Sequence, residues 1–424
     1  MFKKPKLMLS AVVAIAVVFS SICVTAQETA KAEPLSLAQC IEIARKGQTD
    51  VITAGNNIII AKKNLTQKNS AYLPQVSIQN NTFAIGDEGV LSRSTTGTAI
   101  SIDQNIYDGG LREASVEGAR YGVQQRLHAL DRTLQTVTFD VTQSYYTVLR
   151  SKQLAEVSEA NVKYNEELRS QIESRAKLGD AAQVDVLPVE AQLASAQVDL
   201  LSARRNVRTS LIKLQSAMGL APKAEFDIQA VQDAPLSDLE PTNTLLDTAI
   251  KSRPDLLQAQ ASVGAAKTSV KTARISIYPR PVITGGYSKS LSGGFSQTGG
   301  QIVGSIVFDA FDGGANRAVL DEAKAAQANS QEQVNELTRQ IHAQVEDAAI
   351  GVNDAKDRIR AAQSSYDASH KNLDVQIEKY GQGLAITLDM LNAEAQLISA
   401  QSSLVQARYD YYIAVAQLEY ALGK

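Results

Sequence analysis

The side chains that could carry out covalent or metal chemistry are few and scattered. His128, His342 and His370 are the only histidines in the 424 residues, and none stands at metal-ligand spacing from a cysteine. No HExxH helix, Walker-type phosphate loop or Gly-x-Ser-x-Gly elbow occurs. No catalytic residue, cofactor or metal site is therefore expected. The carboxylates say more. Asp108 precedes Gly109 and Gly110, and Asp312 precedes Gly313 and Gly314. A phosphate cradle would need a Lys or a nucleotide fold nearby, and neither copy has one. These residues instead suit a sharp bend from strand into helix, with glycines at the bend and the aspartates capping the helix start. Asp185 stands three residues before Pro188 and suits an N-cap, because a first-turn proline has no helical hydrogen bond to lose.

The elements that position these residues are written twice. Tyr107-Asp108-Gly109-Gly110 recurs 204 positions later as Phe311-Asp312-Gly313-Gly314, and the same displacement links Asp185 to Asp389 and Gly219 to Gly423. Upstream the displacement is 205, where Asp50-Val51 matches Asp255-Leu256 and Pro74 matches Pro279. One structural unit has been duplicated in tandem. Each copy reads as a helix (36–70 and 244–276), two strands, a very long helix (111–178 and 315–380), a turn and a shorter returning helix. Pro74 and Pro279 discourage continuation of the opening helices. The strands are expected at 75–85, 98–107, 282–290 and 301–311. Each long helix would extend roughly 100 Å, far beyond what a compact globule needs.

The returning helices carry a heptad. Val186, Leu193, Leu200, Val207 and Leu214 are seven apart, as are Met390, Leu397, Leu404, Tyr411 and Leu418. Three residues after most of these large side chains comes a small one, such as Ala196, Ala203, Ala400 and Ala407. That period marks a coiled-coil seam whose small positions let backbones approach closely.

Compartment and charge narrow the function. Lys3, Lys4 and Lys6, an apolar run to Phe19 and Val24-Thr25-Ala26 read as a signal peptide over residues 1–26. The apolar run is too short for a spanning helix, and a lipidated Cys23 is disfavoured by the bulky Ile22 before it. Loss of three lysines takes the net charge from −3 to −6, which gives no reason to expect nucleic acid as a partner. Cys40 would be left without a disulfide partner.

Four strands of about ten residues match the span of a tilted membrane strand, yet four cannot close a barrel in lipid. The remaining strands would have to come from other copies. A small soluble sheet on a coiled-coil scaffold, or a periplasmic adaptor, is the alternative, but an adaptor has a single hairpin and no duplication.

The paired YDGG and FDGG motifs, Arg253-Pro254-Asp255-Leu256, and the closing run from Ala407-Arg408-Tyr409-Asp410-Tyr411-Tyr412 to Ala421-Leu422-Gly423 resemble the TolC family of outer-membrane efflux proteins. The resemblance covers essentially the whole chain after the signal peptide. It implies an α+β membrane protein whose tandem-duplicated protomer gives four strands to a trimeric 12-stranded β-barrel. The long antiparallel helices would form an α-barrel through the periplasm. Residues 27–219 and 243–424 would be the two repeats, with 220–242 an equatorial linker. The implied partners are two further copies, outer-membrane lipid, a periplasmic adaptor and an inner-membrane RND, MFS or ABC transporter.

Carried over position by position, the resemblance makes Leu178, Gly179, Asp180, Gly383, Leu384 and Ala385 the adaptor-docking candidates at the hairpin tips. It places the entrance gate on Asp185 and Tyr380, a carboxylate and a phenol able to hydrogen bond. Asp389 would line the constriction as a ring of three carboxylates, favouring cations. Asn392 departs from the family's second acidic position, and Ala385 stands where a basic gate partner can occur.

Overall fold

The computed structural model describes residues 34–87, 90–178, 182–223, 226–230, 238–290 and 298–424. The signal-peptide segment 1–26 and the docking candidates Gly179 and Asp180 lie outside the described residues. Each repeat opens with two helices rather than one: α1 (Leu37–Gly47) and α2 (Thr49–Asn69) in the first, α5 (Thr242–Ser252) and α6 (Pro254–Ile277) in the second. The expected single helices 36–70 and 244–276 are broken at Gln48 (φ −71, ψ 129) and Arg253 (φ −68, ψ 117). At Arg253 the cause is local, since Pro254 disfavours helical backbone in the residue before it. Ser36 starts α1 with a capping box, exchanging hydrogen bonds with Gln39.

The strands are β1 (Gln75–Asp87), β2 (Val90–Tyr107), β3 (Arg280–Ser290) and β4 (Thr298–Val307). The first hairpin is longer than expected, with β1 reaching Asp87 and β2 beginning at Val90. β4 stops at Val307, short of the expected 311. All neighbours are antiparallel in the order β1-β2-β3-β4, so among the described residues β1 and β4 are unpaired on their outer edges. Two helices of 68 and 67 residues follow, α3 (Leu111–Leu178) and α7 (Ala315–Gly381), each about 100 Å long. They are returned by α4 (Val186–Ala217) and α8 (Thr387–Ala421). Among the described residues no helix is long and apolar enough to cross a membrane.

The heptad positions form the seams. Val189, Leu193, Ala196, Leu200 and Leu214 of α4 are buried against α3, and Met390, Ala393, Ala400, Leu404 and Leu418 of α8 are buried against α7 and α3. At mid-height each repeat has an equivalent core. Cys40, Ala44, Val141, Val148 and Leu214 form the first. Leu245, Ala249, Val345, Val352 and Leu418, their counterparts by the repeat displacement, form the second. Burial pushes the Cys40 thiol up to about 11, which leaves it an inert apolar filler. Leu35 pairs with Ile228 in a short parallel bridge beside the first core, where the Tyr145 hydroxyl donates to the carbonyls of Gln229 and Leu35.

Candidate functional site

At the strand-to-helix junctions the two copies repeat one arrangement. Asp108 Oδ1 accepts from Gly110 N at 3.2 Å and Oδ2 from Arg112 N at 3.0 Å. Asp312 accepts from Gly314 N at 2.8 Å and Asn316 N at 2.7 Å. Gly109, Gly110, Gly313 and Gly314 all have φ between 66° and 93°, a region that side chains resist. At Gly109 a Cβ would also lie 2.8 Å from Arg280 Cβ, so the chain there has no room for one. The backbone N–H bonds hold the Asp312 carboxyl below its usual range.

The sheet register sorts the strand residues into two unlike faces. Val76, Ile102 and Tyr287 lie in register on one face, beside Ile78 and Ile100, with Ile283, Ile302 and Ile306 on the same side. Ser77, Ser101 and Ser288 lie in register on the other, with Gln75, Asp103 and Gln301, and the Ser77 and Ser101 hydroxyls are 2.8 Å apart. The large apolar side chains Val76, Ile78, Tyr287, Ile302 and Ile306 are exposed. Tyr72, Tyr107, Tyr278 and Phe308 are exposed where the strands meet the helices. The alternation within β1 is weak as sequence and becomes readable only once its partners are known.

At the far end of the helices, the two hairpin tips also share a device. Asp185 Oδ2 accepts from Ala182 N at 3.3 Å, and Asp389 Oδ2 accepts from Ile386 N at 3.3 Å, two equivalent pairs. Asp185 occupies the N-cap position of α4 but makes no cap bond to it, contrary to the expectation for that residue. A 3-10 turn, Gln183–Asp185, precedes the helix, and the carboxylate turns back to serve that turn instead. Pro188 still falls within the first turn. Gly383 (φ 73) closes α7, donating to the Tyr380 carbonyl, while Leu384 N donates to the Lys379 carbonyl. Leu178 and Leu384 are more than 70% exposed, Ala385 is half-buried, and Val184, Leu187, Ile386 and Leu388 add exposed apolar surface around them.

Tyr380 and Val186, the neighbour of Asp185, pack on one cluster containing Leu168, Ile172, Val189 and Met390. Among the described residues no hydrogen bond joins Tyr380 to Asp185 within one chain. The Tyr380 ring instead faces Arg175, whose Cζ lies 5.1 Å from its centroid. Arg175 therefore supplies a cation beside Tyr380, where the sequence had pointed to the missing basic residue at Ala385. Asp389 is exposed. One turn beyond it, Glu394 is only 3% exposed and accepts from Asn165 Nδ2 at 2.8 Å, a buried polar contact between α8 and α3. No motif marks that contact. Its only sequence signal is an acid at a position adjoining the heptad seam.

Comparison with known proteins agrees with this architecture. The model for the family described as outer membrane efflux protein matches residues 41–220 and again 245–424. BepC of Brucella suis, an outer membrane efflux protein, is 26% identical over 419 residues, covering 97% of this chain and 90% of BepC. Outer membrane protein TolC of Escherichia coli K12 is 23% identical over 407 residues, covering 92% and 82% respectively. The solved structure of CusC superposes with a TM-score of 0.81 at 19% identity, covering 91% of this chain and 92% of CusC. With each half matched at its own position and the two halves built alike, this chain belongs to the outer membrane efflux protein family.

Proposed function

We propose that the chain is a passive exit channel of the outer membrane with a long periplasmic extension, serving an efflux pump or a type I secretion system. The observation that carries this reading is the sheet. It has four strands, one apolar face, one polar face and two unpaired edges, which is tolerable in lipid only if further copies close it. Three copies supply twelve strands, with the Val76, Ile102 and Tyr287 face toward lipid, the Ser77, Ser101 and Ser288 face toward the lumen, and the exposed tyrosines at the membrane boundary.

The helices then continue the lumen through the periplasm. At their tips Leu178, Gly179, Asp180, Gly383, Leu384 and Ala385 meet the hairpins of a periplasmic adaptor, and the exposed leucines supply the apolar contact. The adaptor joins the channel to an inner-membrane RND, MFS or ABC transporter, which chooses the cargo and provides the energy. Asp185, Tyr380 and Asp389 form the closed entrance, with the Tyr380 to Asp185 contact made between neighbouring hairpins when the tips draw together.

The test is planar-bilayer conductance of the purified protein in detergent, with its mass taken by light scattering. A trimer that inserts and conducts is expected. A monomer or dimer without conductance would leave a periplasmic coiled-coil scaffold in place of the channel.

A further inference from the structure

The register of the sheet sets the polar face in rows that run across the strands, because alternate residues of each strand share a face. One row holds Gln75 of β1, Asp103 of β2, Gly286 of β3 and Gln301 of β4, each paired with the next. The row one step away from the helices holds Ser77, Ser101, Ser288 and Gly299, and the row one step toward them holds Asn105, Thr284 and Val303. Asp103 is the one charged side chain in these three rows. Among strand residues whose side chains are described, the other charge on this face is Arg280 at the foot of β3, partly buried against Gly109. Lys289 pairs with Ile100 and so lies on the apolar face.

Asp103 is exposed and held in place by the wall itself. Ser101 Oγ donates to Asp103 Oδ2 at 3.0 Å, and Ser101 Oγ is in turn 2.8 Å from Ser77 Oγ. Directly across the pairing, a Cβ at Gly286 would come within 3.4 Å of Asp103 Oδ1. The glycine therefore keeps the place beside the carboxylate open. Among the described residues no cation pairs with Asp103.

One exposed carboxylate on an open sheet is an ordinary solvated charge, whereas three around a lumen act together. Twelve strands about 4.8 Å apart and tilted about 40° close at a radius of about 12 Å, which leaves the Asp103 carboxylates about 9 Å from the axis. That distance is near the screening length of about 10 Å at 0.1 M salt and well inside the length of about 30 Å at 0.01 M. Three charges at this range enrich a monovalent cation on the axis about fivefold at 0.01 M salt and roughly two- to threefold at 0.1 M, and deplete anions correspondingly.

We propose that Asp103 is a specificity-determining residue of the channel, its three copies forming an acidic ring inside the strand barrel that favours cationic over anionic solutes. The ring rests on the trimeric channel reading and adds to it a second charge filter, apart from the one proposed at Asp389. Helices about 100 Å long separate the two, many screening lengths, so each ring acts independently of the other.

The test is the reversal potential of single channels in a KCl gradient, measured in the Asp389→Asn background so that one ring remains. Asp103→Asn keeps an acceptor for Ser101 and should lower the cation-to-anion permeability ratio several-fold at 10 mM salt and less at 100 mM. Asp103→Lys should move the ratio further, toward anions. Asp103→Cys provides a check on channels already inserted, since Cys40 is buried and does not compete. A sulfonate-bearing methanethiosulfonate reagent should restore the cation preference there, and a trimethylammonium-bearing one should reverse it. If the unsubstituted protein forms no conducting trimer, the channel reading falls and the ring with it. If it conducts but the reversal potential ignores the charge placed at residue 103 by substitution and by reagent, the ring alone falls.

Discussion

Asn165 of α3 and Glu394 of α8 are bonded across the seam between the two repeats, with both side chains buried and one atom of each left without a partner. Asn165 Nδ2 donates to Glu394 Oε1 at 2.8 Å, while Asn165 Oδ1 and Glu394 Oε2 have no hydrogen-bond partner among the described residues. A proton on Oε2 gives the pair its missing donor. Burial accordingly pushes the Glu394 carboxyl from its ordinary 4.5 up to about 7, although the Asn165 hydrogen bond draws it down. Tyr164, which feels both burial and the Glu394 charge, is pushed up to about 12.

The sign of the pH effect follows. Between about 4.5 and 7 the folded chain holds a proton on Glu394 that the unfolded chain has released, so stability falls as pH rises through that window and levels off above it. The loss is at most about 3 kcal/mol per chain. Glu394→Gln keeps an N–H donor and cannot ionise. Its thermal midpoint in detergent should be similar to wild type at pH 4.5 and higher at pH 8. Parallel midpoint curves for the two proteins across that range would show that Glu394 does not titrate in the folded chain.

Arg253 anchors the corner between α5 and α6. Its guanidinium bonds the Asp255 carboxylate, Gln344 Oε1 at 2.8 Å and the Ala421 carbonyl at 3.2 Å. Burial raises the Asp255 carboxyl, and the bonds and charge of Arg253, aided by Arg132, more than offset that and hold it below its usual range. The first repeat has Gln48 at this corner. Arg253→Gln should therefore fold but lose about 2 kcal/mol, because Arg132 still faces Asp255 and relieves part of the cost of a half-buried acid that has lost its main partner. Adding Asp255→Asn should recover part of the loss. A single variant as stable as wild type would show that the corner holds without the arginine.

Conductance separates the proposed entrance residues by chemistry. Tyr380→Phe removes the phenol hydroxyl but keeps the ring under Arg175, so leak current should rise several-fold if that hydroxyl closes the tips. Asp389→Asn retains an acceptor for Ile386 N while removing three charges from the trimer. If Asp389 lines the constriction as proposed, cation-to-anion selectivity should fall about two- to fivefold, with little change in stability. Single-channel behaviour like wild type in both variants would remove these residues from the gate.

The duplication, the strand-to-helix bends and the coiled-coil seams were legible in the sequence because each is a local pattern. A strand-to-helix bend needs Gly at positive φ and an acceptor for the first N–H groups, and both stand within four residues of Asp108 and of Asp312. A seam needs only a seven-residue period, and α4 and α8 both show it. The corner at Arg253 was half legible, since Pro254 announces it, whereas the matching break at Gln48 has no such marker.

The tertiary structure decided which residues those elements present to one another. The apolar face of the sheet emerged only when Val76 came into register with Ile102 and Tyr287. Arg175 of α3 reached Tyr380 of α7, and Glu394 met Asn165 from 229 positions away. The sequence by itself determined two like units and the element types within them, because propensity and periodicity are properties of neighbouring residues. Burial and partner choice depend on which elements come to lie side by side, and only the folded chain sets that.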